Sequence, residues 1–119
     1  MIETCALKLY PSDFYNKVLP FILCLESNSA DWIAQGKKCA SLTGLSWDSI
    51  SSCTQSKQGN DWQAEFGQKT DDLVPAHTYV PWVVVNGGHS QSSESAIESN
   101  MVRYVCSLYK GPEKIAACN

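Results

Sequence analysis

The feature that most constrains this chain is its cysteine content: Cys5, Cys24, Cys39, Cys53, Cys106 and Cys118 fall within 119 residues. An even number in so short a chain reads as a disulfide framework closed in an oxidising compartment, the alternative being six buried thiols. Many pairings are open, so geometry must choose among them. Cys24 and Cys39 stand about equally far either side of a turn near Ala30 and Asp31, as two antiparallel helices would require. Cys5 and Cys53 nest outside them about that same turn, and Cys106 can meet Cys118 if Gly111 and Pro112 end a helix and send the tail back along it. The expected bridges are Cys24–Cys39, Cys5–Cys53 and Cys106–Cys118; a link from Cys39 to Cys53 would break this nested scheme.

The length suits one domain with a modest core. A formal net charge of −3, with nine Lys and Arg scattered along the chain, offers no basic surface for phosphates, so no nucleic-acid partner is expected. The longest apolar run, Val18 to Leu25, holds Pro20 and falls well short of the roughly 20 residues that span a bilayer, so no membrane span is expected either. Disulfide chemistry needs entry to an oxidising compartment, yet MIETCALKLYPSDF has neither a basic n-region nor an apolar h-region nor a small-residue cleavage site. The expectation is that Met1 lies inside a longer precursor whose signal peptide and first part are not in this sequence, making the chain a fragment.

Residues 1 to about 73 carry helical spacing. Pro11 suits a first turn, and Phe14, Val18, Phe21, Ile22 and Leu25 recur at steps of three and four, with a bend expected near Leu19 because Pro20 interrupts the ladder. Ser29 or Asp31 can cap a second helix closed by Gly44, Ser46 a third running through Cys53 toward Gly59, and Asn60 a fourth bearing Trp62 and Phe66. After Pro75 the texture changes. Thr78, Tyr79, Val80, Trp82, Val83, Val84 and Val85 read as a buried strand, Asn86–Gly87 as a hairpin turn, and Gly88 to Ser92 as a short returning edge strand. Ser95 and Glu98 form a capping box ahead of a helix with Ile97, Met101, Tyr104, Val105 and Leu108 on one face.

Familiar catalytic constellations are missing. A dithiol reductase needs two cysteines about three residues apart, so that the second resolves the mixed disulfide formed by the first. Here the nearest pair, Cys106 and Cys118, is 12 positions apart. His77 and His89 have no cysteine or carboxylate at zinc-ligand spacing and read as structural or surface residues. Asp71 with Asp72, and Glu94 with Glu98, read as helix ends and solvated faces. No phosphate loop or nucleophile elbow occurs, so neither a metal nor a cofactor is expected and no catalytic residue is assigned. Pro81, at the mouth of an apolar run, is the one residue whose position calls for a reason.

The run HTYVPWVVVNG, the preceding TDDLVPAH and the later YVCSLYKG followed by Cys118 resemble the C-terminal half of the gamma-interferon-inducible lysosomal thiol reductase (GILT) family. Upstream, ETCALKLYP, FILCLES, KKCASLTGLS and ISSCTQSKQGN match in order the cysteine-bearing helices that this family inserts into its thioredoxin-like fold, so the resemblance covers essentially the whole chain. It implies an α/β, thioredoxin-like class, with residues 1–74 as the disulfide-linked helical insertion and 75–119 as the C-terminal strand, hairpin and helix. It also implies that Val80 and Pro81 form a cis-proline loop facing the redox pair and binding substrate through its backbone.

The activity implied is that of a thiol oxidoreductase reducing protein disulfides in lysosomal or secretory compartments. Members of the family carry, ahead of this stretch, a strand with a Cys-x-x-Cys pair and a Cys-Gln-His-Gly signature, and neither occurs here. The chain as written is therefore expected to be inactive, with disulfide-containing proteins as substrates only if that portion is supplied. The competing reading is a non-catalytic, disulfide-rich helical binding module of saposin-like type. A Val-rich strand closed by Asn-Gly speaks against that module, which is all-helical.

Overall fold

The computed structural model describes residues 1–27 and 31–118. The chain divides into two compact units, Met1–Gln68 and Lys69–Asn119.

In the first unit, helix α1 spans Ile2–Leu9 and a tight 3-10 turn follows over Pro11–Asp13. The chain then widens into a π-helical turn, Phe14–Val18, before α2 runs from Leu19 to Glu26 with Pro20 in its first turn. The widening sits where the sequence places the bend. Pro20 has no N–H to give to the turn behind it and its ring crowds the carbonyl there, so the regular ladder opens and a new helix starts. Helix α3, Trp32–Thr43, is capped by the Asp31 carboxylate, which accepts from the Ile33 and Ala34 amides at 3.0 Å each, and Gly44 closes it at φ 70°. The alternative cap, Ser29, lies outside the described residues.

Helix α4, Trp47–Thr54, starts on the Ser46 hydroxyl, which accepts from the Ser49 amide at 3.2 Å. It stops well short of Gly59, contrary to the sequence reading. Helix α5, Lys57–Asp71, already includes Gly59 and Asn60, and its opening amides are met by the Ser56 hydroxyl, 3.0 Å from the Gly59 nitrogen. Ser56 wins over Asn60 because it sits three residues ahead of an amide that would otherwise be unpaired.

These helices close around Val18, Phe21, Leu25, Ala40, Leu45 and Ile50, with Cys5, Cys39 and Cys53 buried among them. Cys5–Cys53 ties α1 to α4 and Cys24–Cys39 ties α2 to α3, with Cα separations of 5.9 and 5.7 Å. Polar groups inside are paired: the Gln35 amide donates to the Cys24 carbonyl at 2.7 Å, and the Thr4 hydroxyl meets Gln63 on α5 at 2.6 Å. Lys8 reaches Glu65 on the same helix.

The second unit overturns the expected fold class. Among the described residues there is no strand and no sheet, and hence no thioredoxin-like α/β arrangement and no strand–hairpin–helix. What exists of the hairpin is its turn. Asn86 and Gly87 both take positive φ, 50° and 81°, and Val85 and Gly88 exchange both backbone hydrogen bonds, at 2.8 and 3.0 Å. Two successive left-handed residues suit Asn-Gly well, since glycine adopts that region without penalty. The flanks do not continue as a ladder. Val83, in the middle of the expected strand, gives its N–H to Glu94 and pairs its carbonyl with His89. Side chains have taken the bonds that a neighbouring strand would have made, so residue-level strand preference had nothing to pair with.

Helix α6, Gln91–Leu108, begins on the Ser90 hydroxyl, which accepts from Ser93 N at 3.2 Å, five residues ahead of the capping box read at Ser95 and Glu98. It breaks at Asn100, whose φ of −160° and ψ of 91° leave the helix, and the Asn100 side chain then caps the second piece through Arg103 N at 2.9 Å. The break falls between Ile97 and Met101 and so divides the expected apolar stripe, and Met101, Val105 and Leu108 are exposed. A last 3-10 turn, Ala116–Cys118, brings Cys118 back to Cys106, with a Cα separation of 5.4 Å.

Candidate functional site

Chemistry-bearing side chains converge where α6 begins. Ser90 caps the helix and so fixes its first turn, which turns Glu94 inward until it is only 6% exposed. A carboxylate buried this far must be hydrogen-bonded. Its Oε2 accepts from Val83 N at 3.1 Å, and its Oε1 lies 2.8 Å from the Tyr79 hydroxyl. His89, held just after the Asn86–Gly87 turn, completes the group. Its Nδ1 lies 3.0 Å from the Val83 carbonyl and 3.7 Å from Glu94 Oε2, and its Nε2 lies 3.2 Å from the Tyr79 hydroxyl.

Aromatic faces enclose the group. The His89 ring stacks on the Trp82 indole, with centroids 3.6 Å apart and planes 16° from parallel, and Tyr79 meets Trp82 edge-on at 4.9 Å. The Trp82 Nε1 is buried and finds no hydrogen-bond partner among the described residues. The hydrogen bond to Glu94, aided by burial and by the charges of Glu94 and Glu98, holds the Tyr79 phenol above its ordinary range. The segment from Tyr79 to Val83 is thus fastened at both ends by side chains.

Val80 and Pro81, the residues expected to contact substrate, stand at the outer side of this fastened segment. Val80 is 82% exposed, Pro81 is exposed as well, and the peptide bond between them is cis, as is Val74–Pro75. The structure brings them beside Tyr79 and Trp82 but beside no thiol, because all six cysteines are bonded to one another. The pairs are Cys5–Cys53, Cys24–Cys39 and Cys106–Cys118.

The residues that sequence reasoning passed over are Glu94 and Tyr79. Glu94 reads as solvated when the helix is started at Ser95, and becomes a buried first-turn residue when it is started at Ser90. The signal available was the serine run itself, which offers several caps. Among the described residues no cluster of His, Cys, Asp and Glu gathers as a metal site, and no helix is long and apolar enough to cross a membrane.

Fold and site together define a disulfide-stapled helical protein whose exposed proline segment is anchored by a Tyr–His–Glu group in which Glu94 is buried, His89 half-buried and Tyr79 exposed. No family model matches the chain. Individual relatives do. A protein of Carassius auratus named gamma-interferon-inducible lysosomal thiol reductase is 38% identical over 120 residues, which is 99% of this chain and 45% of that protein. The gamma-interferon-responsive lysosomal thiol protein of Arabidopsis thaliana is 29% identical over 119 residues, 99% of this chain and 48% of the relative. The gamma-interferon-inducible lysosomal thiol reductase of Mus musculus is 39% identical over 75 residues, 63% of this chain and 28% of that protein. The chain belongs to the gamma-interferon-inducible lysosomal thiol reductase family. It spans about half the length of the first two relatives.

Proposed function

We propose that this chain is the substrate-side part of a thiol–disulfide oxidoreductase that reduces protein disulfides in a lysosomal or secretory compartment, and that the 119 residues alone do not perform the redox step. The observation that carries the reading is the commitment of every cysteine to a structural bridge. Reduction of a disulfide begins when a thiolate attacks one sulfur and ends when a second thiol displaces the mixed disulfide, passing two electrons to the substrate as two thiols form. Neither thiol is available here. The names of the relatives, which speak of a lysosomal thiol reductase, support the compartment and the class of reaction.

In this reading Val80 and Pro81 offer backbone to an extended substrate segment, and their exposure supports that role. The test has two arms. The pure chain with dithiothreitol should reduce insulin no faster than dithiothreitol alone, and catalysis that disappears when any one cysteine is replaced would overturn the inactive part. A cysteine-bearing peptide should shift the NMR signals of residues next to Val80 and Pro81, and shifts confined to residues 1–68 would overturn the substrate-side part.

A second reading, a non-catalytic helical binding module, keeps one observation in its favour. Among its described residues the first unit has helices and no strand, is held by two bridges, and leaves Tyr15, Leu23, Ile33 and Leu42 exposed. The strand that spoke against it in the sequence is not formed. Peptide-induced shifts confined to those residues would favour this module instead.

A further inference from the structure

Counting protons in the Tyr79–His89–Glu94 group gives a result that packing alone does not require. Three of its contacts each need one side-chain hydrogen: His89 Nδ1 to the Val83 carbonyl, the Tyr79 oxygen to Glu94 Oε1, and the Tyr79 oxygen to His89 Nε2. The contact from Val83 N to Glu94 Oε2 brings its own backbone hydrogen. A neutral phenol and a neutral imidazole supply one hydrogen each, and an ionised carboxylate supplies none. With those forms present, one contact is left with two lone pairs facing each other, and the negative charge of the group sits on its one buried member, Glu94.

A single added proton completes the network in either of two ways. On His89 it makes an imidazolium that donates from both nitrogens while Tyr79 donates to Glu94. On Glu94 it makes a carboxylic acid that donates to Tyr79, and Tyr79 then donates to His89. Both arrangements are neutral overall, and both satisfy every atom. The first also places a cation against the face of Trp82, an attractive contact.

We propose that Tyr79, His89 and Glu94 form a one-proton lock that fastens segment 79–83 to the first turn of α6 and releases it when that proton leaves. The charged and titratable groups around it are few. Glu98, one turn further along α6, acts on Tyr79 with the same sign as Glu94, Tyr104 borders the cleft beside His89, and residues 82–88 contribute no charge. Histidine is the side chain that changes charge between roughly pH 5 and 8. The fastened state binds one proton more than the loosened one, so the lock closes toward the acid end of that range and opens as pH rises through it.

The lock stands on the network alone. Its consequence for substrate, that the backbone offered by Val80 and Pro81 is held in one shape only while the proton is present, rests on the reading proposed above. This makes the proton a regulator of the proline segment.

The test uses NMR on the whole 119-residue chain, at about pH 5 and about pH 8, with no thiol reagent or substrate. The protection of the Val83 amide, corrected for the intrinsic pH dependence of exchange, should fall about five- to tenfold on loss of one hydrogen bond. Its fall should have the pH dependence of a single proton. Glu94→Gln supplies the missing hydrogen permanently from its amide, so the same amide should stay protected at both pH values. Equal protection of Val83 at both values in the wild-type chain, or an undiminished pH response in a folded Glu94→Gln chain, overturns the lock. The wild-type measurement decides even if the variant fails to fold. A flat pH response leaves the substrate-side reading standing, and a failed peptide-binding test leaves the lock standing.

Discussion

The indole of Trp47 occupies the space in which a side chain on Gly36 would stand. Gly36 lies on α3 and Trp47 opens α4, so this one contact sets how closely the two helices approach. Gly36→Ala adds a methyl group to a site already filled by ring carbons. Overpacking of this kind costs about 1–3 kcal/mol, and the gain in helix propensity returns only ~1 kcal/mol of it. The expected outcome is a lower denaturation midpoint for residues 1–68. Gly67→Ala is the control, because a methyl group there meets nothing and the propensity gain stands alone.

The three bridges should contribute unequally. Cys5–Cys53 closes a sequence separation of 48 and Cys106–Cys118 one of 12, which in the chain-entropy account correspond to about 4 and about 3 kcal/mol. The first is also embedded in the core, whereas the second joins an exposed helix end to an exposed tail. Replacing both Cys5 and Cys53 by alanine should therefore unfold the first unit at far lower urea than the wild type. Replacing Cys106 and Cys118 should leave that unit's midpoint unchanged. In a titration with mild reductant, mass mapping should find Cys106–Cys118 opened first. Early loss of Cys5–Cys53 would contradict this order.

Acid should strengthen the first unit at one place. Burial, followed by the charge of Glu26 and a hydrogen bond to it, raises the Glu3 carboxyl above the ordinary 4.5, with the N-terminal ammonium opposing. A carboxyl with a raised folded pKa favours the folded state below its ordinary value, and that contribution is lost as pH rises through the raised one. Urea midpoints should therefore show a contribution present at about pH 4 and gone by about pH 7. Glu26→Gln keeps a hydrogen-bonding partner and removes the charge, so it should make the dependence shallower and leave the part due to burial. An unchanged slope in that variant would place the cause elsewhere.

Local chemistry was legible in the sequence wherever a single residue decides the outcome. Asp31 and Ser46 cap the helices expected of them, Pro20 marks the restart at Leu19, and Asn86–Gly87 makes its tight turn. Outcomes that depend on a distant partner were not legible. Thr78 to Val85 has the composition of a strand, but composition cannot say that Val83 will find Glu94 and His89 before it finds another backbone. The site was missed for the same reason. A shift of helix start from Ser95 to Ser90 moves Glu94 from solvent to interior, and several serines in a row give no local ground for choosing.

The break at Asn100 divides α6 into two short cylinders, one ending before it and one capped by it. Glu94 rides on the first and Cys106 on the second. A continuous rod would carry a twist at one end to the other through its unbroken ladder. Here the ladder is interrupted and the second piece has its own cap, so the helix hydrogen bonds around the Cys106–Cys118 clasp do not run on into the turn that carries Glu94.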